Sequence, residues 1–403
     1  MKNNFDVVIV GAGMVGLVTA ALLAQSAVRD QLAITIVDAG EKPAFDPHND
    51  VALRVSAISR GSMSVLQEIG VWESIIGLRA SAYQRMRVWD SRESIEGPDT
   101  LRFDAADFAI PELGFIVENI LIQHVLLSRL DELGVDVQFA TPIAQLSDHS
   151  VSHITEIRLQ NGNSISTDLL IGADGASSSV RKNAGISVTT WSYPQAAFVT
   201  HLVPERSHEK TAWQRFLPEG PLAFLPLQDG RVSVVWSTTP EKAAWATTAS
   251  DEDLAASLVT ASDQLLGKLT VAGPRGSFPL RSQHADRYVV PGMALVGDAA
   301  HAVHPLAGQG ANLGIADASA LVLAVSDAIG RNEYPGDLST LRNYERQRKG
   351  ANKTMLHFVD ALNRLFLSDS EAIVALRGSG MRLFNRSGPV QRLAVQVALG
   401  INV

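Results

Sequence analysis

The apolar positions of this chain change their spacing three times, and each change predicts a different kind of element. Residues 7–24, VVIVGAGMVGLVTAALLA, run without a charge and reach the length of a membrane span. The run divides, however. FDVVIV (5–10) is β-branched and strand-length, MVGLVTAALLAQSA (14–27) reads as helix, and Gly11-Ala12-Gly13 supplies the turn between them. A second β-branched run, AITIVD (33–38), completes a β-turn-α-β unit that ends on Asp38. Further on, 56–75 predicts helix, 83–91 and 100–104 short strands, 119–134 a helix and 135–140 a strand. Asn161-Gly162 marks a hairpin between two strands, the second closing at GADG (172–175). From about 185 to 284 the pattern alternates between Gly and Pro turns, predicting an antiparallel sheet. Residues 293–330 restore strand, loop and helix, with the helix starting near Asn312, and the remainder reads as helices. Apart from 7–24, no run is expected to reach the length of a membrane span.

These elements interleave. One unit is expected to comprise 1–80, 104–184 and 285–340, with a parallel sheet. A second, antiparallel unit takes 81–103 and 185–284, and a helical region follows over 341–403. The 403 residues suffice for two domains and a substantial core. An apolar fraction of 46% with 19% charged residues is a globular balance. The net charge of −8 argues against a nucleic-acid binder. The absence of cysteine removes disulfides, thiolate catalysis and iron–sulfur clusters, and no convergent metal ligands are apparent. The N-terminus lacks the features of a secretory signal.

Three segments carry chemistry. In Gly11-x-Gly13-x-x-Gly16, the first glycine permits a tight turn and the second lets backbone approach a pyrophosphate. The third allows close helix–strand packing, and the helix N-terminus offers N–H groups to phosphate. Asp38, 22 residues on, would accept hydrogen bonds from a ribose. Alone, this unit indicates an ADP moiety and does not choose between FAD and NAD. The second segment, GADGASSSVR (172–181), taken by itself reads as a strand-ending Asx turn with serines capping a short helix. The third, ALVGDAAHAVHPLAGQGANLGIADA (294–318), places Asp298 at a strand terminus. A loop with Pro305, Gly308 and Gly310 and then a helix follow. Its glycines would let amides approach a flat ring, and the helix aims its positive end at the loop.

In this order, the three segments resemble the class A flavoprotein monooxygenases, the family of para-hydroxybenzoate hydroxylase. The matching motifs are Gly11–Gly16, Asp174-Gly175-x-x-Ser178-x-Val180-Arg181, and Gly297-Asp298. More narrowly, HPLAGQGANLGIAD (304–317) is similar to the signature of the ubiquinone-biosynthesis hydroxylases, as are LRVSAIS (53–59) and VENILIQHVL (117–126). The resemblance covers roughly residues 5–365. It implies an α/β fold, a Rossmann-like FAD-binding domain interleaved with an antiparallel substrate domain and a helical C-terminus. By the same resemblance Gly11, Gly13 and Gly16 hold the FAD pyrophosphate, Asp38 the adenosine ribose and Asp298 the ribityl chain. Arg54 and Gln123 lie along the cofactor, and Asp174 serves both FAD and NADPH binding. His304, Pro305, Gly308, Gln309, Gly310, Ala311 and Asn312 border the isoalloxazine. Arg54 and Gln123 as plain surface side chains, and Arg181 as a phosphate contact or an ordinary ion-pair partner, stay open. His301 and His304 are read as loop-fixing, and no catalytic base is named.

The implied activity uses NADPH or NADH and O2. It proceeds through a flavin C4a-hydroperoxide and hydroxylates a polyprenyl phenol or quinol in ubiquinone biosynthesis. A hydroxylase of small soluble aromatics and a non-catalytic flavin scaffold in a biosynthetic complex are the alternatives. Phe216, Leu217, Phe224, Leu225, Pro226, Leu227 and Trp236 could roof the pocket, although alternation assigns about half of them to the sheet's own core. Residues 372–403 hold Arg377, Arg382, Arg386 and Arg392, no acid, and interleaved apolar side chains. That is a candidate surface for anionic lipid, with packing on its own domain as the alternative. The expected location is the cytoplasm, with peripheral contact at the inner face of the cytoplasmic membrane. Homo-oligomers and a biosynthetic complex are both compatible with this reading.

Overall fold

The computed structural model describes residues 4–149, 154–368 and 370–400. Its central strand, Asn4–Val10, is β-branched and buried on both faces beyond Asp6, as a strand covered by helices on either side must be. It pairs in parallel with Ser164–Gly172 on one side and Ile34–Val37 on the other. The parallel order extends to Asp136–Gln138 beyond Ile34–Val37 and to Met293–Leu295 beyond Ser164–Gly172. The strand ends that matter for function, at Val10, Val37, Gly172 and Leu295, therefore share one edge of this sheet. The charge-free run 7–24 is strand, turn and helix, and the helix Met14–Gln25 buries nine of its twelve residues.

A second sheet runs in the order His301–Ala302, Gly276–Ala285, Val188–Pro204, Val232–Thr238, Gly220–Pro226, Thr211–Leu217, Arg85–Asp90, Leu101–Asp104. It is antiparallel except where Thr211–Leu217 runs parallel to Arg85–Asp90. The short strand His301–Ala302 joins this sheet immediately after Gly297-Asp298, so the third motif bridges the two layers.

Three expectations need correction. Residues 56–59 are not helical: Val55–Ser59 pairs with Gly114–Glu118 in a three-stranded sheet completed by Ala80–Tyr83. The helix begins only at Arg60, where the Ser59 side chain caps it, and it breaks at Gly70 (φ 82°) before a second helix, Trp72–Arg79. The stretch 185–284 is not all sheet. Helices Pro240–Thr248 and Asp251–Ala261, each with a Thr or Ser cap, pack on its outer face over Phe198, Phe224 and Trp236. Finally, Gly310–Gly330 is long and apolar enough to cross a bilayer. It is a core helix, packed between Met14–Gln25 and the 30-residue helix Leu338–Leu367, and it carries the fully buried Asp317.

Candidate functional site

At the shared sheet edge, the first turn is built by contact with the second motif. Gly11 has φ 109°, and a Cβ there would lie 2.5 Å from the Ala173 carbonyl oxygen. A Cβ on Gly16 would fall 2.0 Å from the Gly11 carbonyl oxygen, so helix and turn touch through the missing side chain. Gly13 differs: a Cβ there meets nothing within 4 Å, and the residue faces a large cavity. Its bareness serves no contact inside the protein, which is what a backbone cradle for a ligand requires. The Asp38 carboxylate accepts hydrogen bonds from the Ala12 amide at 2.5 Å and the Gly40 amide at 2.7 Å, fixing the turn. Gln123 donates through Nε2 to the Ala12 carbonyl at 3.2 Å and lines the same cavity, so it belongs to the turn and not to the outer surface.

The second motif is a helix cap. Asp174 accepts from the Ser178 hydroxyl, from the Ser179 amide and hydroxyl at 2.6 and 2.8 Å, and from the Val180 amide at 3.2 Å. Its neighbour Gly175 lines the cavity. Arg181 is buried and donates to the Ala299 and Ala176 carbonyls, both at 2.8 Å. It ties the second motif to the third, through carbonyls and not through a carboxylate.

In the third motif Gly297 (φ 58°) turns the chain, and Asp298 opens into the cavity while protein surrounds it on most sides. That desolvation pushes its carboxyl above the usual range, against the opposing pull of His301 and Arg54. Arg54 also lines the cavity, with its guanidinium 5.8 Å from the Phe278 ring centre. The loop Gly308, Gln309, Gly310, Ala311 forms the adjoining wall and runs into the helix Gly310–Gly330. Asn312 locks that wall. Its Oδ1 accepts from the Ser59 amide at 2.9 Å, and its Nδ2 donates to the Ala57 and Gly308 carbonyls at 2.9 and 3.2 Å. Pro305 lines the cavity, whereas His304 is buried and accepts from the Leu306 amide at 3.2 Å. Burial lowers the His304 imidazole to about 4, so it is neutral near neutral pH and holds the loop.

Sequence reasoning passed over the hub beneath this loop. Asp317 Oδ2 accepts from His301 Nε2 and, at 3.2 Å, from the Gly297 amide. Its Oδ1 accepts from Arg348 Nε at 2.8 Å and Asn352 Nδ2 at 2.9 Å. Desolvation alone would raise this carboxyl; His301, Arg348 and Asn352 outweigh it and hold it below the ordinary range. The signal available in the sequence was an acid, Asp317, set within an apolar stretch of that helix, where it has to find a partner.

The cavity has a volume of about 1750 Å³ and runs from Gly13 and Asp298 beneath the second sheet to the helices Glu371–Arg386 and Pro389–Leu399. Of the residues expected to roof it, Phe216 and Leu225 do so, while Phe224 and Trp236 belong to the opposite face under the added helices. Leu217 packs on that opposite face too, and Leu227 sits in a cluster with Val51 and Ile116. The basic tail also divides. Arg377 is buried against Asp90, and Arg382 pairs with Asp99 at 3.1 Å. Arg386 and Arg392 stay exposed, beside Leu376, Leu383, Val390, Leu393 and Val397. Ile401 lies outside the described residues.

This donor set fits a flavin dinucleotide: an open glycine cradle at a helix N-terminus, a deep carboxylate beyond it, and an amide-lined wall at a second helix N-terminus. The comparisons agree. Residues 4–359 match the family described as FAD binding domain. The chain is 35% identical over 396 residues to the 3-demethoxyubiquinol 3-hydroxylase of Escherichia coli, covering 98% of each. It is 34% identical over 433 residues to the mitochondrial ubiquinone biosynthesis monooxygenase COQ6 of Homo sapiens, covering 96% of this chain and 91% of that one. Among solved structures, p-nitrophenol 4-monooxygenase PnpA of Pseudomonas putida superposes with a TM-score of 0.77 at 18% identity over the whole of both chains. PqsL of Pseudomonas aeruginosa, solved with 2-aminobenzoylacetate, gives 0.76 at 22% identity over 94% and 99%. At these identities the two structures speak for the fold.

Proposed function

We propose that this chain, which belongs to the FAD binding domain family and is an FAD-dependent monooxygenase, hydroxylates the ring of a polyprenyl phenol or quinol in ubiquinone biosynthesis. The observation that carries the substrate class is the length of the cavity. Its 1750 Å³ include the flavin's own seat at Gly13, Asp298 and Gly308–Ala311, and beyond the flavin-facing wall the space continues between Phe358, Leu362, Leu365 and Phe384. That distal stretch suits a prenyl tail and has no use in a hydroxylase of small soluble phenols.

When bound, FAD takes a hydride from NAD(P)H and delivers one atom of O2 to the ring, the other leaving as water. The protein's part is placement and exclusion of water. Gly11, Gly13 and Gly16 and the amides at Met14 would hold the pyrophosphate, Gln123 and Asp38 keep that turn in shape, and Asp298 would take the ribityl hydroxyls. The amides from Gly308 to Asn312, at the positive end of the helix Gly310–Gly330, would meet negative charge on the reduced ring. Asp174 caps the second motif's helix and Arg181 ties that motif to the third, so they support nucleotide binding from behind. The exposed Leu376, Leu383 and Leu393 with Arg386 and Arg392, on the two helices whose other residues line the cavity's far end, favour peripheral contact with an anionic bilayer from which a prenylated substrate enters.

The purified protein should be yellow. NADPH oxidation should rise on adding ortho-geranylphenol, and labelled O2 should place one oxygen atom in the product. A colourless protein that refuses FAD refutes the reading. Tight coupling on a small phenol acid, with none on geranylphenol, would replace the substrate class.

A further inference from the structure

The roof of the cavity is uneven in its chemistry. Along Thr211–Leu217 the side chains alternate, and Ala212, Gln214 and Phe216 face the cavity. The next strands add Pro221, Ala223, Leu225, Val235 and Ser237. On this apolar surface Gln214 is the one long polar side chain among the described residues, and it is only 7% exposed. Its amide has no hydrogen-bond partner among the described residues. The amide opens into the cavity, so a ligand seated there can supply the partner that the protein does not. Tyr83 repeats the pattern at the sheet's edge: its ring lines the cavity, and its hydroxyl has no partner among the described residues. Burial pushes that phenol up to about 12, so it stays a neutral donor.

Both groups lie next to the flavin-facing loop. Phe216, two residues along from Gln214 on the same face, packs with Leu306 of that loop. Tyr83 packs on the same cluster of Val51, Ile116 and Leu227 as Leu225 and Ala57, and Ala57 is the residue whose carbonyl holds Asn312. Among the described residues, charge is absent between the ends of the cavity. Arg54 and Asp298 are on the flavin side, and Arg377 at the far end is taken by Asp90. A ring carboxylate seated under the roof would be desolvated without a cation to meet it.

We infer that Gln214 and Tyr83 hold the substrate's aromatic ring by its oxygen atoms, and that the uncharged roof makes the site choose a neutral ring over a carboxylated one. The inference rests on the hydroxylase reading above. Anaerobic titration of the holoenzyme, followed through the flavin absorbance, tests it with ortho-geranylphenol and its para-carboxylated counterpart. The wild type should prefer the neutral ring by about a hundredfold. Gln214→Met and Tyr83→Phe should each weaken neutral-ring binding by about five- to tenfold and divert NADPH oxidation to hydrogen peroxide, at unchanged flavin content. Gln214→Arg should invert the preference. Tyr83→Phe removes a single oxygen and keeps the packing, so it decides the matter if Gln214→Met fails to hold flavin. Wild-type affinity and coupling in both variants, or equal wild-type binding of the two rings, overturns this inference alone. A holoenzyme that binds neither ring overturns the hydroxylase reading with it.

Discussion

Replacing Asp317 by Asn tests whether the hub beneath the third motif anchors the flavin loop. The carboxylate takes four donors: His301, the Gly297 amide, Arg348 and Asn352. The amide keeps one oxygen for two of them and turns an NH2 toward the others. The Arg348 guanidinium is left buried without its counter-charge. Removing one partner of a buried pair costs about 3–5 kcal/mol, and the retained oxygen puts this case near 3. An unfolding entropy of about 2.1 cal/mol/K per residue, applied to 403 residues, converts that into a fall of about 4 °C in the melting temperature. Because the Gly297 strap leads directly into Asp298, FAD should bind at least about tenfold more weakly, measured by titrating apoprotein with flavin fluorescence. Adding Arg348→Met removes the stranded cation and should restore roughly half of the lost stability while leaving FAD binding weak. An Asp317→Asn protein that melts at the wild-type temperature and binds FAD equally well would refute the anchoring role.

The remaining predictions separate ligand-facing from structural parts. Gly13→Leu should leave the melting temperature of the apoprotein unchanged and lower FAD affinity at least about tenfold, since only a ligand occupies the space it fills. Gly16→Val should lose both, because its side chain would drive into the Gly11 carbonyl. Calorimetry against pH should show stability falling below the ordinary His value of 6.5. His304 stays neutral in the fold down to about 4 while the unfolded chain takes up its proton, a differential of about 3 kcal/mol at the acid end. His304→Asn keeps an acceptor for the Leu306 amide and should flatten that part of the curve. Leu383→Asp with Leu393→Asp should abolish co-sedimentation with anionic vesicles at unchanged flavin content, and equal partitioning would remove the membrane contact.

What was legible in the chain was local. Gly11, Gly13 and Gly16 read correctly as a turn because their spacing is local, although Gly11 also needs its bareness against Ala173 far along the chain, and Asn161-Gly162 closes its hairpin through its own side chain and a φ of 87° at Gly162. What escaped depends on distant partners. Residues 56–59 carry a pattern that helix and strand share, and the choice is made by pairing with Gly114–Glu118, more than fifty positions away. The helices at 240–261 exist because Phe198, Phe224 and Trp236 need a cover, and their Thr and Ser caps were legible only once a helix was expected there. Arg377 and Arg382 looked like a lipid-facing surface until Asp90 and Asp99, nearly three hundred residues earlier, claimed them.

The helix Leu338–Leu367 explains why the site and the tail need each other. Its middle brings Arg348 and Asn352 to Asp317, and so to the loop at Gly297. Its C-terminal end lines the cavity with Phe358, Leu362, Leu365 and Phe366 and offers the Leu365 and Phe366 carbonyls to Arg377, each at 3.0 Å. Arg377 in turn binds Asp90 on the strand Arg85–Asp90, beside the strand that carries Gln214. One rigid element therefore sets the flavin loop, the distal wall and the roof against each other. Arg377→Met should then do more than loosen the last two helices. With Asp90 left buried and unpaired, the distal cavity loses its fixed wall, so the Michaelis constant for long prenyl chains should rise more than that for short ones. Equal effects on ortho-geranylphenol and on a phenol bearing one prenyl unit would show that this wall does not read the tail.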